Sequence, residues 1–156
     1  MHHHSTVAWQ GSLYTLVSSK NTCDLYEYRI STGAWALVTT KGRAPSPRSG
    51  HRAIVHENCM YVVGGADSAI CCSDLLRFHF GMYIEFVRVL TKLETSTWER
   101  QVIEGPPPRY YHLLAKFNDN LIVFGGMNTH SFIFNDTFVY ALGINLIYNV
   151  LIHCKR

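Results

Sequence analysis

The sequence predicts an all-β protein built from repeated antiparallel four-stranded sheets, and three observations predict it. A pattern recurs: "PRSGHRAIVHENCMYVVGG" at residues 47–65 and "PRYYHLLAKFNDNLIVFGG" at residues 108–126 share Pro-Arg, a His three residues after the arginine, an apolar alternation and Gly-Gly. Pro47 to Gly64 and Pro108 to Gly125 both span 17 residues, so the copies align without a gap. Between these marks lie short alternating runs bounded by turn formers, the period-two signature of half-buried strands.

A third copy is concealed near the start. His4 precedes Tyr14 by ten residues, as His51 precedes Tyr61 and His112 precedes Ile122, so "HSTVAWQGSLYTLVS" is a unit without its Pro-Arg opening. The His run before it reads as native sequence entering a strand, with a purification-tag remnant as the other reading. Asp24 precedes Trp35 by 11 residues, whereas Asp74 precedes Trp98 by 24; removing residues 81–93 restores 11 and a period of 48. Within the middle copy the four runs are "HRAIVH", "CMYVVGG", "DLLRFHF" and "TWERQVI". Four short strands recurring at just under 50 residues are the mark of a β-propeller blade. The units expected are residues 4–46, degenerate and lacking Gly-Gly; 47–107, with 81–93 as an insertion; 108–142, lacking its Trp strand; and 143–156, an irregular apolar tail. Fewer than three full units are present and propellers close with about four to eight blades, so the propeller is expected to be incomplete.

Composition narrows the function classes. Of 156 residues 47% are hydrophobic and 16% charged, a globular balance, and 13% aromatics suit strands. The 14 Lys and Arg against 11 Asp and Glu give a net charge of +3 without a basic patch, which argues against nucleic acid and anionic membrane as partners. Five cysteines contain no CxxC pair, and the adjacent Cys71 and Cys72 suit neither a tetrahedral metal nor an easy disulfide; the chain reads as reduced and cytoplasmic. The opening lacks the cationic start and apolar core of a secretion signal, and "GINLIYNVLI" is half the roughly 20 residues needed to span a bilayer, so no membrane anchor is expected.

"PRSGHRAIVHENCMYVVGG", "SDLLRFHF" and "TSTWERQVIEGPPPRYYH" together resemble the Kelch repeat, over about residues 4–142 apart from the insertion. The resemblance implies antiparallel four-stranded Kelch blades whose loops meet a protein partner. Val17 and Ser18 stand where the first copy would carry Gly-Gly, and Ile147 stands where the third would carry Trp.

Each recurring residue has an architectural role in this reading. Gly64-Gly65 and Gly125-Gly126 end strands where positive φ or close backbone approach is needed. Trp35 and Trp98 open the fourth strand and are expected to cover the next blade. Arg48 and Arg109 leave a φ-restricting Pro47 or Pro108 with five donors for nearby carbonyls or carboxylates, with an anion-binding face as the alternative. His51 and His112, one blade apart, are expected to be hydrogen-bonded structural histidines, and Asp24, Asp74 and Asp136, opening the third strand, to hold loop amides. No motif gathers these groups for metal binding or catalysis, so no catalytic residue, metal ligand or cofactor is assigned. Some Kelch-like propellers are enzymes, and a fragment of an enzymatic propeller of oxidase, lyase or epimerase type is the alternative function; a truncated gene model without independent activity is another.

The segments 81–93 and 143–156 each start at Gly after a third strand and are rich in β-branched or aromatic residues. They read as an extended strand-strand loop and a terminal strand, or as retained intron sequence. The leading expectation is a non-catalytic protein-interaction module, of the scaffold or ubiquitin-ligase substrate-adaptor kind that the resemblance implies. The variable connections after Gly-Gly, "ADSAICCS" at 66–73 and "MNTHSFIFN" at 127–135, are the candidate partner loops, with Asp67, Ser68, Asn128, Thr129 and His130 at their centres. Self-association through open blade faces is expected as well.

Overall fold

The computed structural model describes residues 4–67, 69–86, 89–93, 96–102, 105–144 and 146–150; Ser68 lies outside them. Every regular element among these residues is a strand. The first sheet joins β1 (Ser5–Trp9), β2 (Ser12–Ser18), β3 (Cys23–Arg29) and β4 (Ala34–Leu37) in chain order. The second contains β5 (Lys41–Gly42), β6 (Arg52–His56), β7 (Cys59–Val63), β8 (Leu75–His79) and β11 (Thr97–Gln101), ordered β5-β11-β8-β7-β6. The third joins β12 (Leu113–Phe117), β13 (Asn120–Phe124), β14 (Thr137–Ala141) and β15 (Leu146–Val150) in chain order. These are antiparallel propeller blades, and three of them leave the ring open.

The first hairpin of every blade has a two-residue turn whose leading residue is left-handed: Gln10 at φ 41°, Glu57 at 51° and Asn118 at 51°. That turn twists with the strands it joins and so fixes their register. The link from the first blade to the second runs along the outer edge of the second, where β5 pairs in parallel with β11. Gly42, at φ 77°, is required there because a Cβ would strike the Trp98 carbonyl oxygen.

Residues 81–93 contribute β9 (Met82–Phe86) and β10 (Val89–Leu93), which pair with each other as a separate two-stranded sheet. The blade ladder closes behind this hairpin, with Trp98 opposite Phe78. In the tail, β15 pairs with β14 as a fourth strand, and Ile147 faces Tyr140 at the register where Trp98 faces Phe78 and Trp35 faces Tyr28.

The pleat sorts the core into two seams. From the second blade Met60, Val62, Leu76, Phe78 and Trp98 pack with Val7, Tyr14, Leu16 and Leu25 of the first. The alternate residues Tyr61, Val63 and Leu75 pack with Leu121, Val123 and Tyr140 of the third. The middle sheet is therefore buried on both faces, each outer sheet on one.

This arrangement corrects the expected direction of the tryptophans. Trp98 looks back toward the preceding blade, its ring centre 4.9 Å from that of Phe78 and tilted against it, and is 3% exposed. Trp35 looks the same way, on the face of the first blade turned away from the second, and is 58% exposed.

Candidate functional site

The approach to β6, the end of β7 and the start of β8 lie at one end of the second blade, and the matching parts of the third lie at its corresponding end. Each is braced by a buried guanidinium. Arg48 Nη1 donates to the Gly64 carbonyl at 3.1 Å and, with Nη2, to both carboxylate oxygens of Asp74. Arg109 repeats the pattern on Gly125 at 3.0 Å and on Asp136. Nε donates back to the Ser46 carbonyl in one blade and to the Pro107 carbonyl in the other. The Arg109 guanidinium also lies 4.1 Å from the Phe134 ring centre. Asp74 and Asp136 thus hold guanidinium groups, not the loop amides expected of them. Asp24 differs again: its carboxylate accepts from the Thr22 hydroxyl at 2.7 Å.

Gly64 and Gly65 have φ of 57° and 99°, Gly125 and Gly126 of 63° and 92°. A Cβ on Gly64 would lie 2.5 Å from the Arg109 carbonyl oxygen and 3.0 Å from the His112 ring. In the first blade, where Val17 and Ser18 replace the pair, β2 runs on to Ser18, whose hydroxyl accepts from the Arg48 amide at 2.8 Å.

His51 and His112 are fully buried. Burial, then the charges of Arg48 and Arg52, pushes His51 down to about 4; burial, then Arg109, Arg52 and His51, does the same to His112. The two rings are therefore within electrostatic reach of each other, with Arg52 Nε donating to the His112 carbonyl. Neither ring nitrogen of His112 has a hydrogen-bond partner among the described residues, so it serves as a packing piece, not the hydrogen-bonded group expected.

Beyond the Gly-Gly pairs, the candidate loops are short ladders. Ala66 bridges Ser49 and Cys71, and Met127 bridges Tyr110 and Ile133. The Asp67 carboxylate accepts from the amides of Ala69 and Ile70 at 2.7 and 2.6 Å; the Asn128 side-chain oxygen accepts from those of His130 and Phe132 at 2.9 and 3.0 Å. Such side-chain caps fix a turn without further packing. Asp67, Asn128, Thr129 and His130 therefore shape or edge the loops, while apolar side chains project from them: Ile70, Phe132 and Ile133 are 64%, 59% and 72% exposed. Tyr111, at φ 55°, lies over Gly50. These apolar projections escaped sequence reading, which weighted the polar loop centres; the signal was the large apolar side chain set among turn formers.

The chemistry available at this end is limited. Burial raises the Cys71 and Cys72 thiols above their ordinary range, which disfavours the thiolate a nucleophile needs. Among the described residues no three His, Cys, Asp or Glu side chains converge as metal ligands.

Four-stranded blades, stitched by a buried arginine and joined at paired glycines, define a propeller repeat protein. The chain belongs to the KLHDC2/KLHL20/DRC7 Kelch-repeats domain family, whose model matches residues 1–153. It is 28% identical over 131 residues to Kelch domain-containing protein 3 of Rattus norvegicus, covering 79% of this chain and 31% of that protein. It is 28% identical over 122 residues to leucine-zipper-like transcriptional regulator 1 of Pongo abelii, covering 77% and 13%. With acyl-CoA-binding domain-containing protein 4 of Arabidopsis thaliana it shares 32% over 111 residues, covering 69% and 15%. The chain thus spans less than a third of these relatives. The solved structure of YjhT matches with a TM-score of 0.72 at 12% identity, over 96% of this chain and 51% of that one.

Proposed function

We propose that the chain is a non-catalytic Kelch protein-interaction module that contacts its partner through residues 66–73 and 127–135. One observation carries this reading: large apolar side chains stand exposed on loops whose backbones are already fixed by ladder bridges and Asx caps. Rigid apolar projections cost little ordering entropy on binding and supply the anchors from which interfaces draw most of their affinity. The Thr129 backbone lies near enough to the Cys71 thiol to act on it, so the loops share one end of the blades. The finer reading is substrate recognition within a scaffold or ubiquitin-ligase adaptor in the cytoplasm. Its support is the Kelch family membership and the free state of Cys23, Cys59, Cys71 and Cys72.

The test compares proximity labelling by the wild-type chain with that by an Ile70→Asp/Phe132→Asp variant. Both substitutions are on exposed side chains, so circular dichroism should be unchanged. Labelled proteins present with the wild type and absent with the variant are expected. An identical set for both would overturn the assignment of these loops.

A further inference from the structure

We infer that Cys59 is a base-assisted nucleophilic thiol, a covalent modification site for small soft electrophiles of the α,β-unsaturated carbonyl class. The site is at the end of the second blade remote from the Gly-Gly loops, where β7 begins and β8 ends. Cys59 stands directly across the ladder from His79, and Glu99 of β11 lies opposite Arg77, so the pleat of three neighbouring strands puts all four side chains on one face. Their contacts run in one line. The Cys59 sulfur lies 3.3 Å from His79 Nδ1, and His79 Nε2 lies 3.3 Å from Glu99 Oε2. Arg77 donates to the same carboxylate oxygen from Nη2 at 2.6 Å and from Nε at 3.2 Å. A carboxylate only accepts, so Nε2 carries a proton and, in the neutral ring, Nδ1 is left to accept the Cys59 S–H. A nucleophile, a base and a third group that orients the base are the parts by which a weak nucleophile is activated. Arg77 braces Glu99, and its positive charge also reaches the sulfur, opposed there by Glu57 and Glu99.

The other described cysteines lack this partner. The buried Cys23 sulfur accepts a hydrogen bond from the Ser18 hydroxyl at 3.2 Å, which supplies no base. Among the described residues, the groups acting on Cys71 and Cys72 include no imidazole. Burial raises the Cys59 thiol as it raises theirs, so all three rest as thiols and the adjacent base makes the difference. The site is also open to solvent. The His79 and Glu99 side chains are 36% and 51% exposed, while Cys59 is half-buried against the apolar seam with the third blade.

The class of electrophile follows from what surrounds the sulfur. β7 is paired on both sides, so its amides are committed to the sheet and form no oxyanion hole for acyl transfer. Conjugate addition needs neither that hole nor a leaving group. The sulfur electron pair bonds to the β-carbon of the electrophile, and the alkene π pair shifts onto the α-carbon and its carbonyl. The thiol proton passes to His79 Nδ1 and from there to the α-carbon. The product is a thioether beside a neutral His79, and no outside oxidant or reductant takes part.

The test is labelling of the full 156-residue chain with limiting N-ethylmaleimide at neutral pH. Cys59, Cys71 and Cys72 share the tryptic peptide of residues 53–77, so tandem mass spectrometry reads their relative labelling internally. Cys59 is expected to react about tenfold faster than either of the others, and His79→Gln should remove that advantage while leaving Cys71 and Cys72 unchanged. Glu99→Gln should move the inflection of the Cys59 pH-rate profile to lower pH, because the imidazolium formed during attack loses its counter-charge. A merely structural Glu99 would leave that inflection in place. Equal labelling of the three cysteines in the native chain would overturn the inference. So would a Cys59 rate indifferent to His79→Gln, or one that follows hydroxide concentration alone in the wild type. If circular dichroism shows His79→Gln unfolded, the Glu99→Gln profile decides, and an unmoved inflection overturns the inference.

Discussion

The Arg109 guanidinium grips the Asp136 carboxylate with two nitrogens, joining the approach to β12 to the mouth of β14 across 27 residues of chain. Arg109 is fully buried and its Nη1 also satisfies the Gly125 carbonyl, so the pair holds three corners of the blade together.

Asp136→Ala would leave that guanidinium buried without its counter-charge. A loss of roughly 3–5 kcal/mol is expected, as for other buried pairs deprived of one partner. Chemical denaturation of the variant measures it. Arg109→Met combined with Asp136→Ala should cost less than the sum of the two single changes, because the orphaned charge is then gone.

Much of this frame was legible in the chain itself. The 11-residue step from Asp to Trp, once residues 81–93 are set aside, places the third outer-strand position at Ile147, and the register puts Ile147 opposite Tyr140. The Kelch pattern of Gly-Gly, Asp and Trp likewise marks the fold. What stayed hidden was non-local. Alternation shows that Trp98 and Trp35 share a face, but not which neighbour lies on it, because a sheet packed on both sides reads alike from either. Arg48 and Asp74 each recur visibly, yet their pairing bridges 26 residues and emerges only when β6, β7 and β8 are side by side. The two-residue β5 has no periodicity to detect.

The same packing makes Gly64 far less replaceable than Gly11. Both have positive φ, 57° and 77°, but a Cβ on Gly11 meets open space while one on Gly64 collides with the Arg109 backbone. Gly11→Ala should cost about 1 kcal/mol, the conformational term alone. Gly64→Ala should cost at least about 2 kcal/mol more, since the seam between the second and third blades must part to admit the methyl group. Thermal melts of the two variants side by side test the difference; equal losses would mean that the seam yields freely.

Acid should loosen the packing between blades through the buried histidines. In the folded chain His51 and His112 are pushed down to about 4, against about 6.5 when unfolded, so in this interval the unfolded chain binds more protons. The stabilisation is complete above pH 6.5 and is lost as pH falls toward 4, up to about 3 kcal/mol for each imidazole. Glu99, held low first by its hydrogen bond from Arg77, contributes only below its unfolded value of about 4.5 and so acts later in the titration. The melting temperature should therefore be flat from pH 8 to 7 and decline between pH 6.5 and 4.5. His112→Gln removes one titrating ring from the seam, so its melt should start lower at neutral pH but fall less steeply across that window. A slope equal to the wild type's would place the acid sensitivity elsewhere in the chain.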